Sequence, residues 1–218
     1  MQVASGKRQV VGFFVVVVLM LILMVGCART PQVLKIGLVA PFEGQERDLG
    51  YDGIYAARLA VRAFNQAQPD TGVKLALVAL DDSSEPDTAA GNSLALAADP
   101  AIIAVIGIGG EETRLATAEN LADASIPFIH TGVIPFGTTD PASYPEDFKQ
   151  AYAGVTPFDE EAGELAGSVY DAFQLIQLGI KTLEEENQKI TAESMAEFLK
   201  SAKIKGITGK EVYQANSQ

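Results

Sequence analysis

Apolar residues along this chain fall into short unbroken runs, separated by stretches in which they recur every three or four positions. Val33 to Ala40 (VLKIGLVA), Val73 to Leu80 (VKLALVAL), Ile102 to Ile108 (IIAVIGI) and Ile126 to Thr131 have the length and apolar continuity of buried strands. Between the first two, Arg47 to Gln66 sets Ile54, Ala57, Val61 and Phe64 on one helical stripe, with Arg58, Arg62 and Asn65 opposite. Pro69-Asp70-Thr71-Gly72 then reads as a turn. A second helix is predicted over Glu85 to Ala98, with Ser84 and Asp87 as its cap pair and Pro86 in its first turn. A third follows over Glu111 to Ala124. Continuously apolar strands separated by helices imply a parallel sheet covered on both faces. With right-handed crossovers, the fold class is α/β, a doubly wound and mostly parallel sheet.

After Thr131 the pattern changes. Gly132 to Glu146 holds three Pro and two Gly and reads as a loop, and from Phe148 the sequence is helical and acidic. Leu165, Val169, Ala172, Phe173, Ile176, Ile180 and Leu183 make one long stripe. Thr191 caps a shorter helix whose buried side is Met195, Phe198, Leu199 and Ala202; Lys200, Lys203 and Lys205 favour its C-terminal end, and Gly206 stops it. Ile207 to Tyr213 reads as a last short strand. These C-terminal helices add to the sheet rather than form a second domain, so 33–213 is one domain and 214–218 a tail.

The first thirty residues follow another logic. Met1 to Gln9 carries Lys7 and Arg8 and no acid, Val10 to Val25 is apolar but for Gly12, and Gly26-Cys27 follows. A charged start, a short apolar run and a small residue before a cut site describe a secretory signal over 1–26. LMVG before the chain's one cysteine resembles a bacterial lipobox, which implies cleavage before Cys27 and fatty acylation (palmitate) there, with 27–32 as linker. The alternative is an uncleaved anchor, because Val10 to Ala28 approaches the roughly 20 residues that span a bilayer. Either arrangement tethers the domain outside the cytoplasmic membrane.

Composition excludes several classes. Of 218 residues 48 % are hydrophobic, too many for a disordered chain. One Cys and one His cannot form an internal disulfide or a Cys/His zinc cage. A net charge of −12 argues against nucleic acid as a partner. Enzyme motifs fail as well. Gly107-Ile108-Gly109-Gly110-Glu111-Glu112 follows a strand and opens a helix, but Glu112 stands where a dinucleotide fingerprint needs its third glycine. There is no P-loop, no G-x-S-x-G elbow and no H-x-x-x-H pair. His130 is the one candidate proton shuttle, and no base or orienting partner is visible beside it. The chain reads as no enzyme, and it implies no cofactor or metal.

A binding site is easier to place. In an open parallel sheet the ligand lies beyond the carboxyl ends of the strands, where the strand order reverses. Those ends are the segments Pro41 to Tyr51, Asp81 to Pro86, Gly107 to Thr113 and Thr131 to Gly137. Tyr51 offers an apolar wall with a polar tip; Thr113, Thr131 and Gly132 offer hydroxyls and amides. Turn and cap chemistry alone would also account for each of them.

In these same segments LKIGLVAPFEG, GYDGIYAARLAV, LVALDDSSEPDTA, AVIGIGGEETRLATAENLADASIPFIHTG, VYDAFQLI and GITGKEVY resemble type I periplasmic binding proteins. More narrowly, they resemble the branched-chain amino-acid (leucine-binding) lipoproteins of ABC importers. The resemblance runs almost continuously over 33–132 and in patches over 148–213. It implies an extracytoplasmic lipoprotein that holds a small polar, amino-acid-like ligand and hands it to an ABC permease. Carried over by position, Gly110, Glu111, Glu112 and Thr113 correspond to the carboxylate grip, and Thr131 and Gly132 to part of the ammonium grip. Glu111 and Glu112 depart from the hydroxyls expected there and oppose a carboxylate, leaving room for a cationic or neutral ligand. The family also inserts a second lobe between the fourth-strand loop and VYDAF, and here that stretch is too short to hold one. A reduced, one-lobe binding protein follows, binding weakly or as a homodimer across the open face. The alternatives are a membrane-tethered sensing or interaction domain, and a degenerate protein with no ligand.

Overall fold

The near-unbroken apolar run Val33–Ala40 forms β1, the central strand of the computed structural model, which describes residues 31–69, 72–133 and 135–214. The signal segment and Cys27 lie outside the described residues, as do Asp70 and Thr71 of the turn. β1 pairs in parallel on one side with β2 (Lys74–Asp81), Ile36 facing Leu77, and on the other with β3 (Ile102–Gly107), Leu38 facing Ile106. β4 (Phe128–His130) adds in parallel beyond β3, with Ile129 against Ile106. The order β2-β1-β3-β4 reverses direction between β1 and β3, so the fold is the doubly wound α/β sheet expected.

Helices cover both faces. α1 (Arg47–Ala67) and α5 (Ala166–Glu185) share one core with alternate residues of the central strand: Leu34, Ile36 and Leu38 meet Ala56, Phe64, Val169 and Phe173. Full burial of a side chain such as Phe173 contributes about 1.5–3 kcal/mol. The opposite core joins Val39 and Val105 to Ala89 and Leu96 of α2 (Pro86–Ala97) and Leu121 of α3 (Glu111–Asp123). The predicted stripe on α1 is too narrow. Tyr55, Ala56, Leu59 and Ala60 are buried along with Ala57 and Phe64, because α1 lies between the sheet and α5.

Several local expectations need correction. α2 begins after Glu85 with no side-chain cap; Ser84 is not its cap but donates to Glu46 at 2.7 Å, while Pro86 does sit in the first turn. β4 keeps three of the six residues expected of it. The segment after it contains a 3-10 turn at Pro141–Ser143, and α4 (Glu146–Ala153) starts two residues before Phe148. Among the described residues from Thr131 to Leu165 there is no strand. Thr191 caps α6 (Ala192–Leu199) as expected, reciprocally with Ser194, but Gly206 does not stop that helix. Gly206 lies in the turn of a small antiparallel hairpin, β5 (Ile204–Lys205) and β6 (Glu211–Val212), which replaces the single strand expected over Ile207 to Tyr213.

Two buried carboxylates fasten this C-terminal layer. Asp52 of α1 accepts the N–H groups of Gly163, Leu165 and Ala166 at 2.8–2.9 Å, together with the Tyr152 hydroxyl, and so satisfies the start of α5. Asp171 of α5 accepts the N–H of Ile207 at 2.7 Å and the Thr208 hydroxyl at 2.6 Å, which ties the hairpin to the helix.

Candidate functional site

The carboxyl ends of β1, β2, β3 and β4 meet at one rim, organised around the β3–α3 connection. Ile108 continues past β3 and donates its N–H to Val39, keeping the chain against β1. Gly109 then turns at φ +137°, a conformation that an L side chain rarely adopts. A Cβ there would lie 3.0 Å from Thr113 Oγ1 and 4.0 Å from both Asp82 Oδ2 and Pro41 Cδ. Gly110 precedes α3, and no side chain caps the helix. The first amides of α3 are therefore left without a side-chain acceptor at the crest of the rim.

Around this crest the predicted residues separate by how they spend their polar groups. Thr113 donates its hydroxyl to the Gly110 carbonyl at 3.0 Å, inside the first turn of α3. Thr131 is fully buried, and its hydroxyl and N–H both go to the Gly107 carbonyl, at 3.2 and 3.0 Å. Both threonines brace the rim. Gly110 is exposed and has open space where a side chain would stand, and Glu112 is exposed. Gly132 is exposed, and a Cβ on it would sit 3.5 Å from the Gly109 oxygen. Tyr51 is 43 % exposed and meets Phe42 edge to face, with ring centroids 6.1 Å apart. Phe42 follows Pro41, so Tyr51 stands at the same rim, on the β1 side. Glu111 is turned aside: Arg114 grips its carboxylate with two hydrogen bonds of 2.6 and 2.7 Å. That bonding holds the Glu111 carboxyl below its ordinary range.

Two rim residues were not singled out as site residues by the sequence. Asp82, just past β2, is almost wholly buried and accepts the Ser84 N–H at 3.0 Å. Burial raises its carboxyl above the usual range, and the charges of Asp81 and Glu46 add to this. Its neighbour Asp81 differs. Burial pushes that carboxyl up, but the N–H groups of Phe42 and Ser83 and the Ser83 hydroxyl outweigh it and hold the group low. An acid directly after an apolar strand was the available signal for both. The second is His130, which the sequence offered only as a candidate proton shuttle. It is 9 % exposed, and its two ring nitrogens have no hydrogen-bond partner. Burial and the Arg114 charge hold the imidazole down at about 4, so it is unprotonated at neutral pH.

Among the described residues no cluster of His, Cys, Asp and Glu could hold a metal ion, and no helix is long and apolar enough to cross a membrane. The rim thus offers hydrogen-bond donors and acceptors, one aromatic wall and a surplus of negative charge. That is equipment for holding a small polar molecule.

Comparison with known proteins bears on the fold and the family. No curated protein matches the chain. The fold matches the branched-chain amino acid transporter substrate binding protein LivJ from Streptococcus pneumoniae, solved with isoleucine, at a TM-score of 0.67. Identity there is 14 %, over 82 % of this chain and 91 % of that one. A solute binding protein of an ABC transporter from Rhodopseudomonas palustris BisB5, in complex with 3,4-dihydroxy benzoic acid, matches at 0.55, with 11 % identity over 82 % and 88 % of the two chains. A possible leucine/isoleucine/valine-binding protein from Rhodopirellula baltica SH 1 shares 23 % identity over 54 % of this chain, at a TM-score of 0.44; this chain spans 35 % of it. The profile of the family described as periplasmic binding protein matches residues 33–146, just over half of the chain, and the chain belongs to that family.

Proposed function

We propose that this chain is an extracytoplasmic solute-binding lipoprotein of an ABC-type importer, which takes a small polar ligand at the carboxyl rim of its sheet. The observation that carries the reading is the uncapped start of α3 at the point where strand order reverses between β1 and β3. Membership of a family of solute-binding proteins supports it, as does the absence of any nucleophile-and-base pair in the motifs of the sequence. Gly110, Glu112, Gly132 and Tyr51 line the ligand side, with Thr113 and Thr131 as braces behind them. The signal over 1–26 and acylation of Cys27 supply the tether, and a membrane permease receives the ligand.

A single rim covers about half of a small ligand, whereas closed sites bury roughly 70–90 % of one. Binding is therefore weak unless a second copy closes over the rim, which cross-linking of the full chain would reveal. The solute reading is tested by a thermal-shift screen of the full chain in detergent against amino acids, polyamines, aromatic acids and sugars. A ligand of the folded state raises the midpoint by an amount that grows with the logarithm of its excess over Kd. A rise with one class supports the assignment; a flat response to all four favours a degenerate protein. Metabolic labelling with palmitate, lost in Cys27→Ser, tests the anchor.

A further inference from the structure

His130 occupies an unusual position for a buried imidazole. Its ring is enclosed by glycine backbone: a Cβ on Gly107 would lie 3.3 Å from Cδ2, and one on Gly132 would lie 3.0 Å from Cε1. Phe128 packs on one side, with ring centroids 6.2 Å apart. The charges of Glu111 and Arg114 of α3 act on the ring, and the Gly109 carbonyl lies near enough to favour its protonated form without a hydrogen bond of regular geometry. Two acids and a phenol packed about α5 have found partners. Asp52, Asp171 and Tyr144 each bond to backbone groups, whereas both nitrogens of His130 are left open. A buried polar group without a partner costs folding free energy, and such groups call for an explanation in a natural protein.

The surroundings decide what could satisfy it. A neutral imidazole presents one lone pair and one N–H. Glu46, Asp81, Asp82 and Glu112 stand at the rim, while Arg114 is held by Glu111. A carboxylate approaching the ring would meet this negative field, whereas a protonated amine is drawn in by it. We propose that the ligand of the rim bears a protonated amine, that His130 accepts a hydrogen bond from it, and that Asp82 beside Gly109 supplies the opposing charge. This rests on the reading of the rim as the solute site and deepens it, because it names the ligand class. Both ring nitrogens are buried, so entry requires the crest at Gly109 and Gly110 to move away from Gly132, and none of these three carries a side chain.

Titration calorimetry of the full chain with three probes on one isobutyl frame tests the proposal: 3-methylbutylamine, leucine and 4-methylpentanoate. The amine is expected to bind at least as tightly as leucine and at least about tenfold more tightly than the acid. His130→Phe should erase the preference for amine over acid while the unligated thermal midpoint stays level or rises, and His130→Gln, which keeps an acceptor, should retain it. Asp82→Asn should weaken the amine severalfold, and it carries the test should His130→Phe fail to fold. Tighter binding of leucine or 4-methylpentanoate, or a preference that survives both His130→Phe and Asp82→Asn, overturns the amine assignment and leaves the rim as a solute site. No heat from any of the three probes, together with a flat thermal-shift screen, overturns both.

Discussion

The buried carboxylates behind the sheet and the buried imidazole at its rim are spent in opposite ways. Under α5, Asp52 accepts three backbone N–H groups and a phenol, and Asp171 accepts two N–H groups and a hydroxyl. At the rim, His130 makes no hydrogen bond and the start of α3 has no side-chain cap. Groups that are fully paired inside the protein hold its shape. Groups left unpaired cost stability, and they are kept where a ligand can supply the missing partner. Substitutions in the two regions should therefore differ in kind as well as in size.

The largest effect belongs to the paired region. Asp52→Ala strands the first amides of α5 and should lower unfolding free energy by about 3 kcal/mol, read from denaturant unfolding, with little change in any ligand preference. Next is acid sensitivity at the rim. The folded protein holds the His130 imidazole at about 4, below its ordinary 6.5, so the unfolded chain takes up the proton first as pH falls. Stability tied to this group is complete above pH 6.5 and is lost between there and pH 4, by about 3 kcal/mol. Asp52 and Asp171, raised by burial above their ordinary 3.8, run the other way as pH falls. The difference between wild type and His130→Phe across pH 4–7 isolates the histidine, with Glu111, Arg114 and the Gly109 carbonyl unchanged around it. A smaller effect is expected for Thr131→Val, which removes the strut to Gly107 and should cost about 1 kcal/mol. The smallest is Tyr51→Ala, within about 0.5 kcal/mol on stability because the residue lies at the surface, 43 % exposed, but with several-fold weaker ligand binding.

The same division explains what the sequence revealed. β1 was legible to the residue, Val33–Ala40, and the other central strands to within one, because a strand buried on both faces must be apolar throughout. β4 was overextended, since Ile126 and Thr131 are buried by neighbouring structure without pairing in the ladder. The bend at Gly206 was taken for a helix stop, whereas its role is to approach Asp171 closely, a contact fixed across 35 positions of sequence. The rim segments themselves were found from the strand ends. Asp82 was missed as a site group because its burial at the rim is set by the tertiary fold, and His130 because its significance lies in partners that are absent. A usable signal existed for the structural pair: Asp52 and Asp171 interrupt otherwise apolar sides of their helices, flanked by Gly53 and Tyr55, and by Val169 and Ala172. A charge in such a place needs a dedicated partner.

The account stands or falls on whether the rim at the β1/β3 switch holds the solute. Gly110 has ordinary backbone angles and open space where a Cβ would go, so Gly110→Trp should fold normally while filling the rim. Calorimetry of wild type and Gly110→Trp with 3-methylbutylamine, leucine, 4-methylpentanoate and 3,4-dihydroxybenzoate is the most direct measurement. Heat from at least one solute that disappears in Gly110→Trp, at an unchanged thermal midpoint, is the predicted result. Undiminished binding by Gly110→Trp would place the site elsewhere and contradict it.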